Sequence, residues 1–424
     1  MIGIRKEDGH ACERRTPIVP DDVRELISRG ISVLVQPSKL RIFTDKEYSN
    51  AGAVITEDLS SASVIFGLKA IPVGSWLPQK TYAIFSHTHK SQKENMPSLR
   101  EALSKKCRII DYEFVREGTE PSLVKFSRWA GITGAIQGLH ALGLKIISMG
   151  YSNPFLSVSS SQCYSSYKDV VATTQSAVNA WVSNSTLTDD LGPLIVGITG
   201  TGNVACGAKQ FLIDSGFKII EYNRISQCEA TSAYCVIFPI TSTLVMRENA
   251  SAEFSQQDCY SSPEKFDSIF VERFISKLSL FINAVYWEAP MPRLVPTKDL
   301  PFIIKSGRPY VISDVSCDIE GSIEFLKSGM NIFRSWQLYN VDGNPVYSAV
   351  GNESNLIAVT AIDNLPSLFA RQASIDFSRD LLKFVSSILS VDISESYTDL
   401  PHSVAGSVIC DNGKLTAKFD SIKV

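Results

Sequence analysis

The sequence predicts an α/β protein built on mostly parallel, doubly wound sheets. Short runs rich in Val, Ile, Phe and Tyr alternate with helix-like stretches from the start of the chain to about residue 130. A second alternating series begins at Leu194, and its first strand runs into a glycine-rich turn. Strands that alternate with helices are typical of parallel sheets covered by helices. The 424 residues are enough for two domains with sizeable cores.

The first series contains four runs with the composition of buried strands. The clearest helix-like stretch between them covers residues 20–29, with Asp21 and Asp22 in its first turn and Gly30 just beyond its end. Residues 95–105 have a second helix-like pattern. The four predicted strands are residues 31–36, 64–68, 82–86 and 108–112.

Residues 129–147 predict one long helix of Ala, Gly, Leu and Ile with almost no charge. A helix that is apolar on all sides must be buried, and we expect this one in the protein interior. No apolar run approaches the roughly 20 residues that span a bilayer, so a soluble protein without a membrane partner is expected. Further along, residues 249–267 are polar and predict a loop or insertion, and residues 365–389 have apolar residues at helical spacing.

Charge and cysteine content exclude several classes of protein. The formal net charge of −3 gives no electrostatic case for nucleic acid or an anionic membrane. The nine cysteines are scattered and contain no C-x-x-C pair, which argues against a disulfide framework or a zinc site and suits a reducing compartment. Met1 runs directly into strand-like sequence, so a cytoplasmic protein is predicted, or a mitochondrial one whose transit peptide has been removed.

The clearest motif is the glycine-rich turn of the second series. Residues 194–199 form the predicted strand, and the turn reads Gly200-Thr201-Gly202-Asn203-Val204-Ala205. Gly200 allows the tight turn, Gly202 lets the backbone approach a pyrophosphate, and the small Ala205 lets the next helix pack closely. The helix N-terminus adds N–H donors. A glycine-rich loop without a ligand is the alternative, but the flanking strand and helix favour dinucleotide binding.

The residues after the next strand decide between NADP and NAD. An acid at the end of that strand binds the ribose hydroxyls of NAD, and a nearby arginine can bind the extra phosphate of NADP. If Tyr222 ends the strand, Asn223 takes the place of the acid and Arg224 meets the phosphate. If Glu221 is the reader, the choice reverses. We favour NADP(H), with NAD as the less favoured alternative.

Basic side chains follow the predicted strands of the first series. Lys69 follows one strand, His87 and Lys90 follow the next, and Arg15 precedes the first helix. Because ligands of open parallel sheets bind beyond the carboxyl ends of the strands, Lys69, His87 and Lys90 are expected to face one crevice. Each alone has an ordinary explanation, such as a pair between Arg15 and Glu13. Together they offer carboxylate anchors and groups for proton transfer.

The chain resembles the superfamily of alanine dehydrogenase and lysine-forming saccharopine dehydrogenase. The likeness covers nearly the whole chain and is greatest to the lysine–ketoglutarate reductase half of the bifunctional aminoadipic semialdehyde synthases of plants and animals. Residues 86–90 and 321–325 are specific to this reductase branch, whereas the glycine turn is not. The segments that carry the resemblance are residues 13–17, 67–69, 85–90, 129–131, 150–155, 199–204, 286–288, 314–325 and 362–366.

The resemblance implies two Rossmann-like domains with the active site in the cleft between them. Residues 1–132 together with 366–424 would form a discontinuous substrate-binding and catalytic domain. Residues 133–365 would form the dinucleotide-binding domain.

The resemblance also implies roles for single residues. Arg15 would bind a substrate carboxylate, Lys69 and His87 would be the acid–base pair, and Lys90 would assist anion binding. The remaining implied positions are Asp318 near the nicotinamide, Leu365 beside it, and Glu113 as a residue that tunes the basic pair.

The implied reaction is the first step of lysine breakdown. The ε-amine of L-lysine attacks the ketone of 2-oxoglutarate, water leaves, and NADPH reduces the imine to saccharopine. One group must take a proton and another must give one, each with a pKa near neutrality. His87 and Lys69 suit these tasks because two cations in one pocket lower each other's pKa. A planar guanidinium at Arg15 would orient the ketoacid.

Two features depart from the family pattern. Ser122 stands where many relatives carry an arginine, which bears on the second carboxylate site. The segment after Arg224 is short, which bears on the adenosine end of the cofactor site. Because bifunctional relatives continue into an oxidising half, a fused or partnered saccharopine dehydrogenase half is also an expectation.

Three other functions fit parts of the pattern. Another amino-acid dehydrogenase of the same fold, such as alanine dehydrogenase, would turn over ammonia and pyruvate. A non-catalytic NAD(P)-binding regulatory subunit would bind the dinucleotide without turnover. A transhydrogenase-like subunit would need a membrane partner, of which the sequence gives no sign.

Overall fold

The computed structural model describes residues 1–9, 12–89, 91–118, 120, 122–347 and 355–424. The strands, in chain order, are β1 Ile2–Ile4, β2 Val33–Val35, β3 Val54–Ile55, β4 Val64–Phe66, β5 Thr81–Ile84, β6 Arg108–Asp111, β7 Leu194–Thr199, β8 Lys218–Glu221, β9 Ala233–Phe238, β10 Leu244–Met246, β11 Phe266–Ser268, β12 Leu280–Asn283, β13 Val311–Asp314, β14 Gln337–Tyr339, β15 Pro345–Val346, β16 Ile357–Thr360, β17 Val408–Asp411 and β18 Lys414–Leu415. The α-helices are α1 Pro20–Ser28, α2 Asp45–Asn50, α3 Met96–Ser104, α4 Ser127–Ser148, α5 Tyr167–Val182, α6 Ser185–Leu191, α7 Asn203–Asp214, α8 Ile240–Thr243, α9 Gln256–Ser261, α10 Phe270–Arg273, α11 Leu300–Ser306, α12 Ala370–Leu389 and α13 His402–Ala405.

The chain divides into two compact units. Unit 1 comprises Met1–Phe126 and Ala370–Val424, and unit 2 comprises Ser127–Phe369. The sequence-based boundary at residues 132 and 133 falls inside α4, and the one at residues 365 and 366 falls inside a short 3-10 segment, Leu365–Phe369.

Unit 1 is built on one eight-stranded sheet in the order β18-β17-β6-β5-β4-β1-β2-β3. The six strands from β6 to β3 are parallel, and β17 and β18 add an antiparallel edge. Strands β4, β5 and β6 are buried along their whole length. Their carboxyl ends therefore lie side by side at one edge of the sheet, which is where a doubly wound fold binds ligands.

Unit 2 contains a second eight-stranded sheet in the order β15-β14-β16-β13-β12-β7-β9-β8. The strands from β16 to β8 are parallel, whereas β14 and β15 are antiparallel. A large apolar core of residues such as Phe238, Phe270 and Phe281 covers this sheet. The predicted fold class, α/β with two parallel doubly wound sheets, is confirmed.

Helix α4 was expected to be buried, and 78% of its most apolar window is buried in the protein. By length and composition alone this 22-residue helix could cross a membrane. The expectation that no apolar run reaches that length is therefore wrong. The burial of α4 is that of a core helix, since few of its residues are left to face lipid. The helix packs against the sheet of unit 2, where the hydroxyl of Ser313 donates a 2.9 Å hydrogen bond to the carbonyl of Gly134.

The prediction of a loop at residues 249–267 is wrong in its second half. The hydroxyl of Ser255 accepts the N–H of Asp258 and the Asp258 carboxylate accepts the N–H of Ser255, a capping box that starts α9. Cys259 and Phe266 are then buried in the core of unit 2. The segment was predicted to be a loop because most of its residues are polar, and its few buried apolar residues were overlooked.

Candidate active site

The turn after β7 has the conformation that the G-x-G-x-x-A pattern requires. Gly200 has φ +92°, and a Cβ there would lie 2.8 Å from the carbonyl oxygen of Ala284. Its N–H donates to the carbonyl of Phe238 in the neighbouring strand β9 at 2.9 Å. Any side chain at this position would clash with backbone, so the tight turn depends on glycine.

Gly202 plays a different part, because a Cβ built on it meets no atom within 4 Å. The open space belongs to a cavity of about 320 Å³, a size typical of small-ligand pockets. Helix α7 begins at Asn203, so its N-terminal turn borders the cavity. The lining residues are Ser127, Gly200, Thr201, Gly202, Asn203, Val204, Ile240, Gln256, Tyr260, Ala284, Val285, Tyr286, Val315 and Ser316.

Helices α4 and α7 pack at backbone contact behind the turn. A Cβ at Gly131 would lie 1.8 Å from the carbonyl oxygen of Val204, and one at Gly207 would lie 2.1 Å from that of Arg128. Ala205 is buried, as its proposed packing role requires. Gly131 of α4 and Gly207 of α7 therefore let the two helices meet closely at the start of α7, and the turn residues fit a dinucleotide.

A buried polar network lies below the cavity. The Thr199 hydroxyl donates to Oδ1 of Asn283 at 3.0 Å, and Nδ2 of Asn283 donates to Oδ1 of Asp314 and to the Ser322 hydroxyl, at 2.9 and 2.7 Å. Burial raises the pKa of Asp314 to about 6, although hydrogen bonds from Ser316 and Asn283 oppose the rise. Oδ2 of Asp314 is buried without a hydrogen-bond partner among the described residues. Sequence analysis gave this network no role.

The residues predicted to select the cofactor lie on the surface. Strand β8 ends at Glu221, one residue earlier than the reading that favoured NADP. Tyr222 starts a 3-10 turn, and Arg224 in this turn is exposed and donates from Nε to Gln227 at 2.9 Å. Glu221 therefore stands at the position of the ribose-binding acid, with an exposed arginine three residues later.

Asp318 and Leu365 occupy contrasting environments within unit 2. Asp318 is exposed in a turn that closes with the N–H of Gly321 donating to its carbonyl at 3.1 Å. A Cβ at Gly321 would approach the Cβ of Asp318 to 2.6 Å, so the turn requires this glycine. Leu365 is buried in a small apolar cluster with Ile362 and Leu368.

In unit 1, Lys69 and His87 each lie three residues beyond the end of a strand. Lys69 follows β4 and His87 follows β5, and these two strands are parallel neighbours. His87 is exposed and has φ +53°, a region that few residues other than glycine adopt and that is frequent at functional sites. Its ring stacks on Phe85, with 6.3 Å between centroids. Lys90 lies outside the described residues.

Arg15 is buried and paired. Its Nε and one terminal nitrogen donate to the two oxygens of Glu13 at 2.8 and 2.6 Å, and its guanidinium lies 4.1 Å from the centre of the Phe126 ring. The pair with Glu13, weighed as the ordinary explanation, is thus present. Ser122, where relatives carry an arginine, is bound to backbone carbonyls of Tyr112 and Val124.

Acidic groups lie at the same edge of the sheet as Lys69 and His87. Asp111, the last residue of β6, accepts the hydroxyl and the N–H of Ser86 at 2.5 and 3.0 Å, and burial raises its pKa. Glu113 is half-exposed, 3.6 Å from Nδ1 of His89. The buried Glu7, missed in the sequence analysis, binds the backbone at Lys69. The feature of the sequence that could have identified Glu7 is its position just after β1. Among the described residues, no group of three or more His, Cys, Asp or Glu side chains could hold a metal.

Comparison with known sequences identifies one matching family and several similar proteins. The family described as alanine dehydrogenase/PNT, N-terminal domain, matches residues 3–133. All of the chain aligns with the alpha-aminoadipic semialdehyde synthases of Arabidopsis thaliana, at 34% identity, and Bos taurus, at 31%. It spans only 41% and 47% of those two proteins. The NAD(+), L-lysine-forming saccharopine dehydrogenase of Candida glabrata is 25% identical, with 90% of each chain aligned.

Solved structures support the same fold. An L-alanine dehydrogenase superposes with a TM-score of 0.58 over 99% of this chain at 16% identity, and 98% of that protein is covered. A transhydrogenase from Sinorhizobium meliloti superposes with a TM-score of 0.55 at 15% identity, with 98% of both chains covered. The predicted resemblance to the superfamily of alanine dehydrogenase and lysine-forming saccharopine dehydrogenase is confirmed.

Proposed function

We propose that the chain is a lysine–ketoglutarate reductase, which condenses L-lysine with 2-oxoglutarate and reduces the imine with NADPH to saccharopine. The observation that carries the proposal is the placement of Lys69 and His87 beyond the ends of the adjacent strands β4 and β5. These are the acid–base residues that the resemblance implies. Full-length similarity to the semialdehyde synthases supports the same reaction.

Lys69 and His87 would divide the proton transfers. One accepts a proton from the ε-ammonium of lysine, so that the neutral amine can attack the ketone. The other donates a proton to the hydroxyl of the carbinolamine, so that water leaves and the nitrogen lone pair forms the protonated imine. The bound dinucleotide supplies the hydrogen and the electron pair that reduce the imine. The acidic groups near the pair, including Glu113, would keep cationic forms accessible near neutral pH.

Arg15 would hold a carboxylate of 2-oxoglutarate. Glu13 accepts hydrogen bonds from two of its nitrogens, and the Phe126 ring packs against the guanidinium plane. These contacts fix the guanidinium in one orientation. Lys90, outside the described residues, would add a second positive charge.

The choice of dinucleotide is a separate proposal. We infer NADPH because Arg224 is exposed in the turn after β8 and its guanidinium can bind a phosphate. NADH is the second candidate, favoured by the position of Glu221 at the end of the strand. Arg224→Ala should raise the KM for NADPH roughly tenfold or more and leave that for NADH unchanged.

The matched control for Arg224→Ala is Lys218→Ala, which removes an exposed cation from β8, the strand before the Arg224 turn. An equal rise in KM for both variants, or an Arg224→Ala enzyme that prefers NADPH as before, would contradict the assignment of NADPH to Arg224.

Partnership and location are also proposals. The aligned semialdehyde synthases are about twice as long as this chain, and the mammalian ones are named as mitochondrial. We propose that a saccharopine dehydrogenase half acts next, fused or as a partner, and that the enzyme works in mitochondria or cytoplasm.

A spectrophotometric assay tests the main proposal. Oxidation of NADPH should require L-lysine and 2-oxoglutarate together, cease when either is omitted, and produce saccharopine in equal amount by mass spectrometry. Parallel reactions should replace the two substrates by ammonia and pyruvate. Turnover only with ammonia and pyruvate would indicate an alanine dehydrogenase, and dinucleotide binding without any turnover would indicate a regulatory subunit.

A further inference from the structure

We propose that Glu7 is a positioning residue that fixes Lys69 at the carboxyl edge of the unit 1 sheet and holds a negative charge next to it. This inference rests on the proposed function for the role of Lys69, but its geometry does not. Glu7 lies just after β1, which pairs with β4, the strand that leads to Lys69.

The Glu7 carboxylate binds two consecutive backbone amides. Oε1 accepts the N–H of Leu68 at 2.7 Å, and Oε2 accepts the N–H of Lys69 at 3.1 Å. Both amides lie beyond the last residue of β4. The carbonyl of Leu68 accepts the N–H of Phe85 at 2.9 Å, and the Glu7 carboxylate holds the two amides. Because the Lys69 amide nitrogen is one bond from its Cα, the carboxylate restrains the point from which the side chain starts.

Gly67 makes this approach possible. A Cβ there would lie 2.8 Å from Cδ and 2.9 Å from Cγ of Arg5, and 3.3 Å from Oε1 of Glu7. Arg5 and Glu7 therefore lie directly against the strand end, and a side chain at Gly67 would have to displace them. This close packing explains the glycine in the Gly67-Leu68-Lys69 segment.

The charges around Glu7 come from several elements. Arg5 approaches Oε2 to 3.7 Å and is itself paired with Asp8 at 2.5 Å. Burial raises the pKa of Glu7, Arg5 and the two amides lower it, and the nearby Glu13 raises it. The buried Tyr112 hydroxyl is a further titratable group near Glu7. Burial raises its pKa, and the negative charge of Glu7 raises that pKa further.

Two consequences follow for Lys69. Loss of the amide contacts would let its backbone move, and a displacement of about 1 Å at a catalytic group can reduce turnover by up to about 100-fold. Loss of the charge should favour the neutral amine, because a carboxylate bound to the Lys69 amide would stabilise the ammonium form of the side chain. The pH at which the Lys69 amine becomes reactive should then fall by roughly one unit.

The test is trace acylation of lysines with acetic anhydride over a pH series, read by mass spectrometry of the Lys69 peptide. Glu7→Gln keeps the shape but loses the charge and one of the two amide acceptors. Its labelling midpoint for Lys69 should lie about one pH unit below that of the wild type. Glu57→Gln is the matched control, since it removes an exposed carboxylate that binds Lys6. An unchanged midpoint in Glu7→Gln, or equal shifts in both variants, would overturn the proposal.

Glu7→Asp separates charge from position. It keeps the carboxylate but is too short to reach both amides, so turnover should fall about tenfold or more while the labelling midpoint stays near that of the wild type. Turnover of Glu7→Asp equal to that of the wild type would overturn the proposal. If Glu7→Gln does not fold, hydrogen exchange of the wild type decides: the Leu68 and Lys69 amides should be protected, and rapid exchange there would overturn the proposal.

The labelling needs no turnover. Failure of the wild type to make saccharopine would therefore contradict the proposed function alone. A missing Glu7-dependent shift would contradict this inference alone.

Discussion

Asn283 and Asp314 are the last residues of two adjacent parallel strands, lie opposite each other in register, and are joined by a 2.9 Å hydrogen bond. Thr199, the last residue of β7, is in register with Asn283 on its other side and binds it at 3.0 Å. The next residues along the three strands, Gly200, Ala284 and Val315, line the cavity. One buried network thus ties together the three chain segments that form the floor of the proposed dinucleotide site.

Asp314→Asn should change how stability depends on pH. The pKa of Asp314 in the folded protein, about 6, lies above the ordinary 3.8, so its contribution to stability is full below about pH 3.8 and is lost as pH rises through about 6. The asparagine keeps an acceptor for Asn283 and Ser316 but cannot ionise. Its unfolding free energy relative to the wild type should therefore rise between about pH 4 and pH 7, by at most roughly 3 kcal/mol (about two units at 1.36 kcal/mol each).

Urea unfolding at several pH values measures this difference. Asp342→Asn, which removes an exposed carboxylate in a turn, is the control and should show no such rise. A relative stability of Asp314→Asn that does not vary with pH would rule out a raised pKa at Asp314.

Gly202→Ala should weaken dinucleotide binding without affecting stability. Its φ of −77° suits any residue and its Cβ would meet no protein atom, so the fold should tolerate the methyl group. The same methyl would occupy space that a pyrophosphate needs, and affinity should fall roughly tenfold or more. Dinucleotide fluorescence titration and thermal unfolding give the two readouts. Gln210→Ala, exposed near the end of the same helix, is the control. Unchanged affinity would place the pyrophosphate elsewhere.

Gly131→Ala should destabilise unit 2 and weaken dinucleotide binding together. The added Cβ would lie 1.8 Å from the carbonyl of Val204, so helices α4 and α7 must separate. Overpacking of this kind costs typically about 1–3 kcal/mol. Chemical unfolding measures the loss. Gly202→Ala serves as the comparison, since the same substitution there meets open space. If Gly131→Ala were as stable as the wild type, helices α4 and α7 would be able to separate at little energetic cost, which would contradict this prediction.

Lys69→Met should abolish most turnover while leaving dinucleotide affinity intact. Methionine keeps much of the bulk but cannot transfer a proton, and loss of an acid–base group costs roughly 10²–10⁴-fold. Steady-state kinetics with L-lysine and 2-oxoglutarate, alongside dinucleotide titration, check both parts. Lys80→Met, which removes a partly exposed lysine just before β5, is the control. Turnover equal to wild type would remove Lys69 from the mechanism.

Local patterns predicted much of the fold. The runs of Val, Ile, Phe and Tyr became buried parallel strands, and the Gly200 turn became the strand-to-helix bend, because both depend on neighbours in sequence. Strand ends were less predictable: β5 stops at Ile84, two residues before the predicted end, and β8 stops at Glu221. A strand ends where its partners end, which no single segment encodes.

The sequence alone determined the fold class, the dinucleotide turn and the basic residues after the strands, since each is written in contiguous residues. The tertiary structure decided which buried groups meet. Glu7 reaches Lys69 from another strand, Asn283 connects Thr199 to Asp314, and Gly131 admits the carbonyl of Val204. These contacts join residues far apart in the chain, and burial makes their polar groups depend on each other because water is not there to replace a missing partner.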